Sequence, residues 1–268
     1  MSGGQATAPA AETSGSGGAG DGTPEPRGRN RRRARLLLAG ATAVVVASVA
    51  AVSAYLVTRP GSNQNAAPRV SGIPSVLSDS TVNLMELDAL PHVTAPGFTF
   101  TDQNGKTMSL SAFRGKVVVL EFLDPHCIDI CPIVSHEFVD AYHDLGANAS
   151  KVVFLGINVN QYHAGVADVM AFSKEQQLTT IPDWHYFTGP LPALQTAWKN
   201  YNIYVQAPSP SADIVHTSAV YFIGPDGTER YLASPQVDHN KSGTSFLPPD
   251  QMVAWGHGIA DLALTMAK

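Results

Sequence analysis

Cys127 and Cys131 are the only cysteines in 268 residues, and they lie four apart within LEFLDPHCIDICPIVSHEF, Leu120 to Phe138. The thiolate, not the thiol, is both the nucleophile and the metal ligand, so any feature that lowers a cysteine pKa here favours redox or soft-metal chemistry. The flanking sequence supplies one. The apolar run Val117 to Leu123 reads as a buried strand, and Val134, Phe138, Ala141, Tyr142 and Leu145 follow at helical spacing, so the pair lies at a strand-to-helix junction. A helix N-terminus stabilises a thiolate. Pro132 suits the first turn, where its missing N–H is not needed. Cys127 and Cys131 extend the helical stripe backwards at i, i+4, and if the first turn reaches that far both sulfurs point the same way. Asp124 is the one carboxylate beside the pair, suited to tuning a thiol, to receiving its proton, or to shaping the turn before Pro125. A structural disulfide is the plain alternative outside the cytoplasm. It would stabilise little across so short a loop, and parallel helical Cβ vectors would strain it.

The elements that must position these thiols are legible as an α/β pattern. Phe98 to Thr101, a turn at Asn104 and Gly105, and Thr107 to Leu110 read as an opening hairpin. After the strand Val117 to Leu123 comes a helix from Pro132 to Leu145, then a second buried strand, Lys151 to Val159. Strand, helix and strand make a βαβ unit, which forces a parallel pair with a right-handed crossover. A helix over Val166 to Gln177, a short strand from Trp184 to Thr188 and a helix from Pro190 to Tyr201 continue the alternation. Thr217 to Ile223, a turn over Gly224 to Gly227, Glu229 to Leu232 and a closing helix from Pro249 to Met266 complete it. Thiols placed after the first strand of such a βαβ and ββα arrangement describe a thioredoxin-like domain, a central mixed sheet flanked by helices. Trp184, Trp198 and Trp255 are expected in or near its core.

Upstream the composition changes. Residues 1–35 are mostly Gly, Ala, Ser, Thr, Pro and Glu, ending in a cluster of Arg27, Arg29, Arg31, Arg32, Arg33 and Arg35, and are expected to be a disordered tail. Leu36 to Thr58 is an uncharged, mostly apolar run of 23 residues, long enough to span a bilayer as a transmembrane helix. Six arginines before it and only Arg59 soon after orient the tail to the cytoplasm and the C-terminal domain outside, in the cell membrane. Cleavage after Ala54 is the competing reading of this segment. No cysteine stands directly after the run, which argues against a lipid anchor. Residues 59–91 read as a linker, with Val82 to Leu90 able to add a short packed segment, and residues 92–268 suit one domain. The chain carries a net charge of −5 with its arginines concentrated in the tail, so the exterior domain is acidic and nucleic acid is not an expected partner.

GKVVVLEF, then DPHCIDICP, then FTG before a helix, then VHTSAVYFIGPDG together resemble the Sco/SenC family over about residues 96–233. The resemblance implies a membrane-anchored thioredoxin-like copper protein that helps build the binuclear copper site of cytochrome c oxidase. The oxidase's copper-bearing subunit would be its partner. It also implies that copper is held by Cys127, Cys131 and His216. Donor chemistry agrees, since two thiolates suit Cu(I) and an added imidazole also tolerates Cu(II). Two places depart from the family pattern. Val215 precedes the histidine where many relatives carry an acidic residue, with Asp213 two further back, and Asn158, Val159, Asn160 and Gln161 stand where relatives often have an acidic, Pro-containing stretch.

A metallochaperone without turnover is the leading reading. The alternative is a thiol-disulfide oxidoreductase with Cys127 and Cys131 as its redox-active pair. The three residues between the cysteines, where reductases of this fold usually have two, favour copper. A peroxidase of the peroxiredoxin kind ranks last, because Asp124 stands where that class expects Thr or Ser. A copper sensor would carry the same residues. Beside Cys127, His126 is a candidate fourth ligand or a group supporting the ligands. His136 and His143 are expected to be solvated, and His92, His163, His185, His239 and His257 form no metal-ligand spacing.

Overall fold

The computed structural model describes residues 71–268. The arginine-rich tail and the expected span over residues 36–58 lie outside the described residues. Among the described residues no helix is long and apolar enough to cross a membrane.

A six-stranded mixed sheet organises this domain. Its two central parallel strands are β4 (Val117–Leu123) and β5 (Val152–Asn158), and every residue of both is buried. Burial on both faces explains why each reads as a continuous apolar run with no alternation. The ladder pairs Val117 with Val152 at one end and Leu123 with Asn158 at the other. Beyond β5 lies parallel β6 (Trp184–Phe187). On the other side of β4, β9 (Val220–Ile223), β10 (Glu229–Ala233) and β1 (Asp88–Ala89) follow, each antiparallel to its neighbour. The helix α2 (Ile130–Leu145) crosses from β4 to β5, and α3 (Val166–Glu175) from β5 to β6.

Alternate residues of the central strands feed two cores. Val117, Val119 and Leu123 face α2 and the closing helix α5 (Pro249–Met266), with Val134, Phe138, Trp255 and Ile259 packed between them. Val118, Leu120 and Phe122 face the opposite way, toward α4 (Leu191–Asn200) and the hairpin of β2 (Thr99–Thr101) and β3 (Thr107–Ser109), meeting Leu194, Trp198, Phe98 and Phe100. Trp184, Trp198 and Trp255 are all buried, as expected.

Three local differences from the sequence reading concern the site. The helix after the cysteines starts at Ile130, so its first turn includes Cys131 but does not reach Cys127. Only Val220–Ile223 of the expected strand Thr217 to Ile223 joins the sheet. Its upstream neighbour β8 (Val215–His216) instead pairs with β7 (Val205–Gln206) in a separate two-stranded ribbon. Third, β11 (Asp238–His239) and β12 (Ser245–Phe246) form a hairpin with no apolar alternation to announce it. Within the expected linker the segment Val82 to Leu90 is packed, as the sequence allows, and packing begins earlier still, with Leu77 already buried. Leu77, Val82, Met85 and Leu87 are buried around a short helix α1 (Asp79–Leu84), ahead of the edge strand β1.

Candidate functional site

Past the C-terminal end of β4 the chain makes a turn held by Asp124. Its backbone carbonyl accepts the Cys127 N–H at 3.1 Å, and its Oδ1 accepts the His126 N–H at 2.8 Å. The same Oδ1 accepts the Asn160 side-chain amide at 2.8 Å. Asp124 is buried, and these contacts match the turn-shaping role among those weighed for it.

The Cys127 sulfur takes over helix capping from Asp129, whose side chain makes no capping bond. It accepts the N–H groups of Asp129 and Cys131, both at 3.4 Å. These are two of the donors that an α-helix leaves unpaired at its start. A hydrogen bond from the Cys131 thiol, aided by those two N–H groups, pulls the Cys127 pKa below its ordinary value. The neighbouring thiol responds in the opposite direction: the bond to Cys127 and full burial push Cys131 well up. The pair is thus polarised, a thiolate-prone sulfur toward solvent and a proton-holding one behind it. Both cysteines are free.

His216 arrives on the β7–β8 ribbon. Its Nε2 lies 3.8 Å from the Cys131 sulfur, across 85 residues of chain. The Thr217 carbonyl lies 3.0 Å from Nδ1, which donates to it and leaves the Nε2 lone pair toward the sulfur. Burial pushes the His216 pKa down, so the neutral ligating form is favoured. Beneath it, Glu121 of β4 accepts the Ser218 hydroxyl at 2.9 Å and the Ala219 N–H at 3.3 Å, tying the chain just after His216 to the sheet. Of the departures from the family pattern, Val215 is exposed. Asn158 and Asn160 are buried and bond the loop after β5 internally and to Asp124.

Cys127, His216 and His126 line one cavity of about 760 Å³, walled by residues 210–216 and 242–245. The β11–β12 hairpin is fastened there by a Ser245 hydroxyl bond to the Asp129 carboxylate. His136 and His143 are exposed on α2, as expected. His163, set aside in the sequence reading, lines the cavity too, and its ring stacks on His126 with centroids 3.5 Å apart. The sequence carried part of the signal, a parallel βαβ pair whose strand-end loops lie side by side; the register that makes these two histidines neighbours, Leu123 against Asn158, is set by the structure.

The fold and this site define a thioredoxin-like domain in which a polarised dithiol faces an imidazole. The sequence profile of SCO1/SenC matches residues 88–242, more than half of the chain, and the chain belongs to that family. It is 28% identical over 142 residues to the SCO1 protein homolog of Bacillus subtilis (strain 168), covering 52% of this chain and 72% of the relative. A SCO1/SenC family lipoprotein from Bacillus anthracis str. Ames superposes with a TM-score of 0.53 at 21% identity, over 67% of this chain and 98% of that one. Bradyrhizobium japonicum ScoI, solved with copper bound, superposes with a TM-score of 0.48 at 22% identity, over 63% and 98% of the two chains.

Proposed function

We propose that this protein is a membrane-anchored, extracytoplasmic copper carrier that delivers copper to, or prepares, the binuclear copper site of cytochrome c oxidase, holding its cargo with Cys127, Cys131 and His216. The observation that carries the reading is the approach of His216 Nε2 to the Cys131 sulfur at 3.8 Å. Sulfur and nitrogen donors on one metal ion lie roughly 3.5–4 Å apart, given metal–ligand bonds of about 2.0–2.3 Å. Two soft thiolates favour Cu(I), and the imidazole extends the set to Cu(II). Anchoring rests on the six arginines and the apolar run that follows them.

One observation favours a second reading, thiol-disulfide exchange. A lowered Cys127 and a raised Cys131 are what a nucleophile and its resolving partner require. His216→Ala in the full-length chain separates the two, because it leaves the dithiol intact. For a copper carrier, the reduced chain binds one Cu(I), and Cys127→Ser or Cys131→Ser abolishes tight binding. His216→Ala then fails to mature the oxidase while exchanging disulfides at close to the wild-type rate. Normal oxidase assembly by His216→Ala at limiting copper would overturn the carrier reading.

A further inference from the structure

The cavity that exposes Cys127 is also lined by two histidines the proposed function does not use, and a carboxylate stands beside them. His126 leaves the turn after β4, His163 sits in the loop after β5, and Asp168 lies in the first turn of α3. One ligating atom from each lies within 4.8 Å of the other two. The two imidazole rings are stacked at 3.5 Å with their planes 23° apart.

We infer that His126, His163 and Asp168 form a second metal site, separate from the dithiol, that takes a divalent first-row cation, Cu(II) foremost. The donor set decides the class. Two imidazole nitrogens and a carboxylate oxygen suit borderline divalent ions, and among these the Irving–Williams order puts Cu(II) at the top, while Cu(I) prefers the thiolates next door. The spacing is close to what one ion needs. Donors on a common ion at about 2.1 Å are at most about 4.2 Å apart, so the three groups are near enough to share one ion once the imidazoles turn out of their stack and bring their in-plane lone pairs together.

The backbone around His163 is fixed by two buried side chains. Asn160 Oδ1 accepts its N–H at 3.2 Å, and the Asn158 amide donates to its carbonyl at 3.0 Å. Asp168 is likewise held, with Oδ2 accepting the Gly165 N–H at 3.0 Å and Oδ1 left to meet a cation. The other end of the cluster is anchored through the His126 N–H on Asp124, which Asn160 also grips. One hydrogen-bonded unit therefore sets both histidines, and it presents them to the cavity that Cys127 and His216 line.

The test uses the tag-free full-length chain carrying Cys127→Ser, Cys131→Ser and His216→Ala, titrated with Cu(II) glycinate. Bound metal is counted by equilibrium dialysis, and its donors are read from nitrogen coupling in the electron paramagnetic resonance spectrum. This background should hold one Cu(II) with imidazole nitrogen coupling. Adding His163→Ala or His126→Ala should weaken binding at least about tenfold, since even a group that merely supports a ligand is worth about 10–100-fold. His136→Ala, on the exposed face of α2, should change nothing. Absence of Cu(II) from the background, or undiminished binding in both the His163→Ala and His126→Ala chains, would overturn the assignment. Circular dichroism of each variant establishes that it is folded before binding is scored. Since the background lacks every ligand of the proposed function, the result does not depend on whether that function is right.

Discussion

Glu121, in the middle of β4, is fully buried, and its Oε2 has no hydrogen-bond partner among the described residues. Burial pushes its carboxyl from an ordinary 4.5 up to about 8, against the smaller opposing effects of Ser218 and Ala219. The folded state therefore binds a proton more tightly than the unfolded chain does. Its contribution to stability is intact below pH 4.5, falls as pH rises, and is lost once pH passes about 8. At about 1.4 kcal/mol per pH unit the whole loss is roughly 5 kcal/mol, of which roughly 2 kcal/mol falls between pH 6.5 and 8. That upper window is the one to use. Below it the lowered His216 works in the opposite direction, contributing stability that is lost as pH falls. Cys127→Ser/Cys131→Ser removes the thiols' own titration. In that background, urea unfolding of the full-length chain can be followed by tryptophan fluorescence, since Trp184, Trp198 and Trp255 all lie within this domain. The Glu121 chain should lose stability from pH 6.5 to 8.5, and Glu121→Gln, which keeps an acceptor for Ser218 but cannot ionise, should lose much less. Glu137 and Glu229, also raised by burial, contribute to the slope that remains. Equal losses in the two chains would refute the assignment of this pH dependence to Glu121.

Asn160→Ala should cost about 1.5–3 kcal/mol in urea unfolding at neutral pH, because it removes the side-chain donor to a buried carboxylate, Asp124; a cost under half that range would mean water replaces the amide. Gly156→Ala should destabilise by about 1–3 kcal/mol, since its Cβ would meet Tyr186 at 2.9 Å and Trp184 at 3.0 Å in the core. Thermal unfolding checks this, and an unchanged midpoint would show that the two rings can yield. A periplasmic-type reporter fused after Lys268 should be active and one fused before Leu36 inactive, following the arginine asymmetry; the reverse pattern would sink the proposed delivery outside the cell.

Hydrophobic pattern was most informative where packing is most complete. β4 occupies Val117–Leu123 and α5 Pro249–Met266, the spans read from the sequence, because long apolar runs and a sustained helical period have few other uses. The same reading passed over β7 and the β11–β12 hairpin, and saw of α1 only that Val82 to Leu90 could pack. Their strands are two residues long and partly exposed, so no periodicity can develop in them. At the site, Cys127 and Cys131 stand out in the sequence as the only cysteines, at a strand-to-helix junction, whereas His216 comes only with the family resemblance. His163 was not singled out, because its relation to His126 lies in the parallel register and not in any spacing along the chain. The capping role of the Cys127 sulfur was missed for a related reason: where a helix starts, to the residue, is decided by local hydrogen bonds that pattern does not encode.

Among the described residues, His216 is carried by a ribbon whose two strands pair with each other and with no other strand. β8 bonds to β7, and neither belongs to the six-stranded sheet that supports the cysteines. The imidazole is in effect a hinged jaw set against two stationary ones. Drawing it back breaks the Ser218 attachment to Glu121 and the contact with Cys131, yet unzips no ladder of the sheet. On the proposed function, an acceptor could take over that one coordination position first while the dithiol keeps its grip, so handover would proceed ligand by ligand without unfolding the carrier.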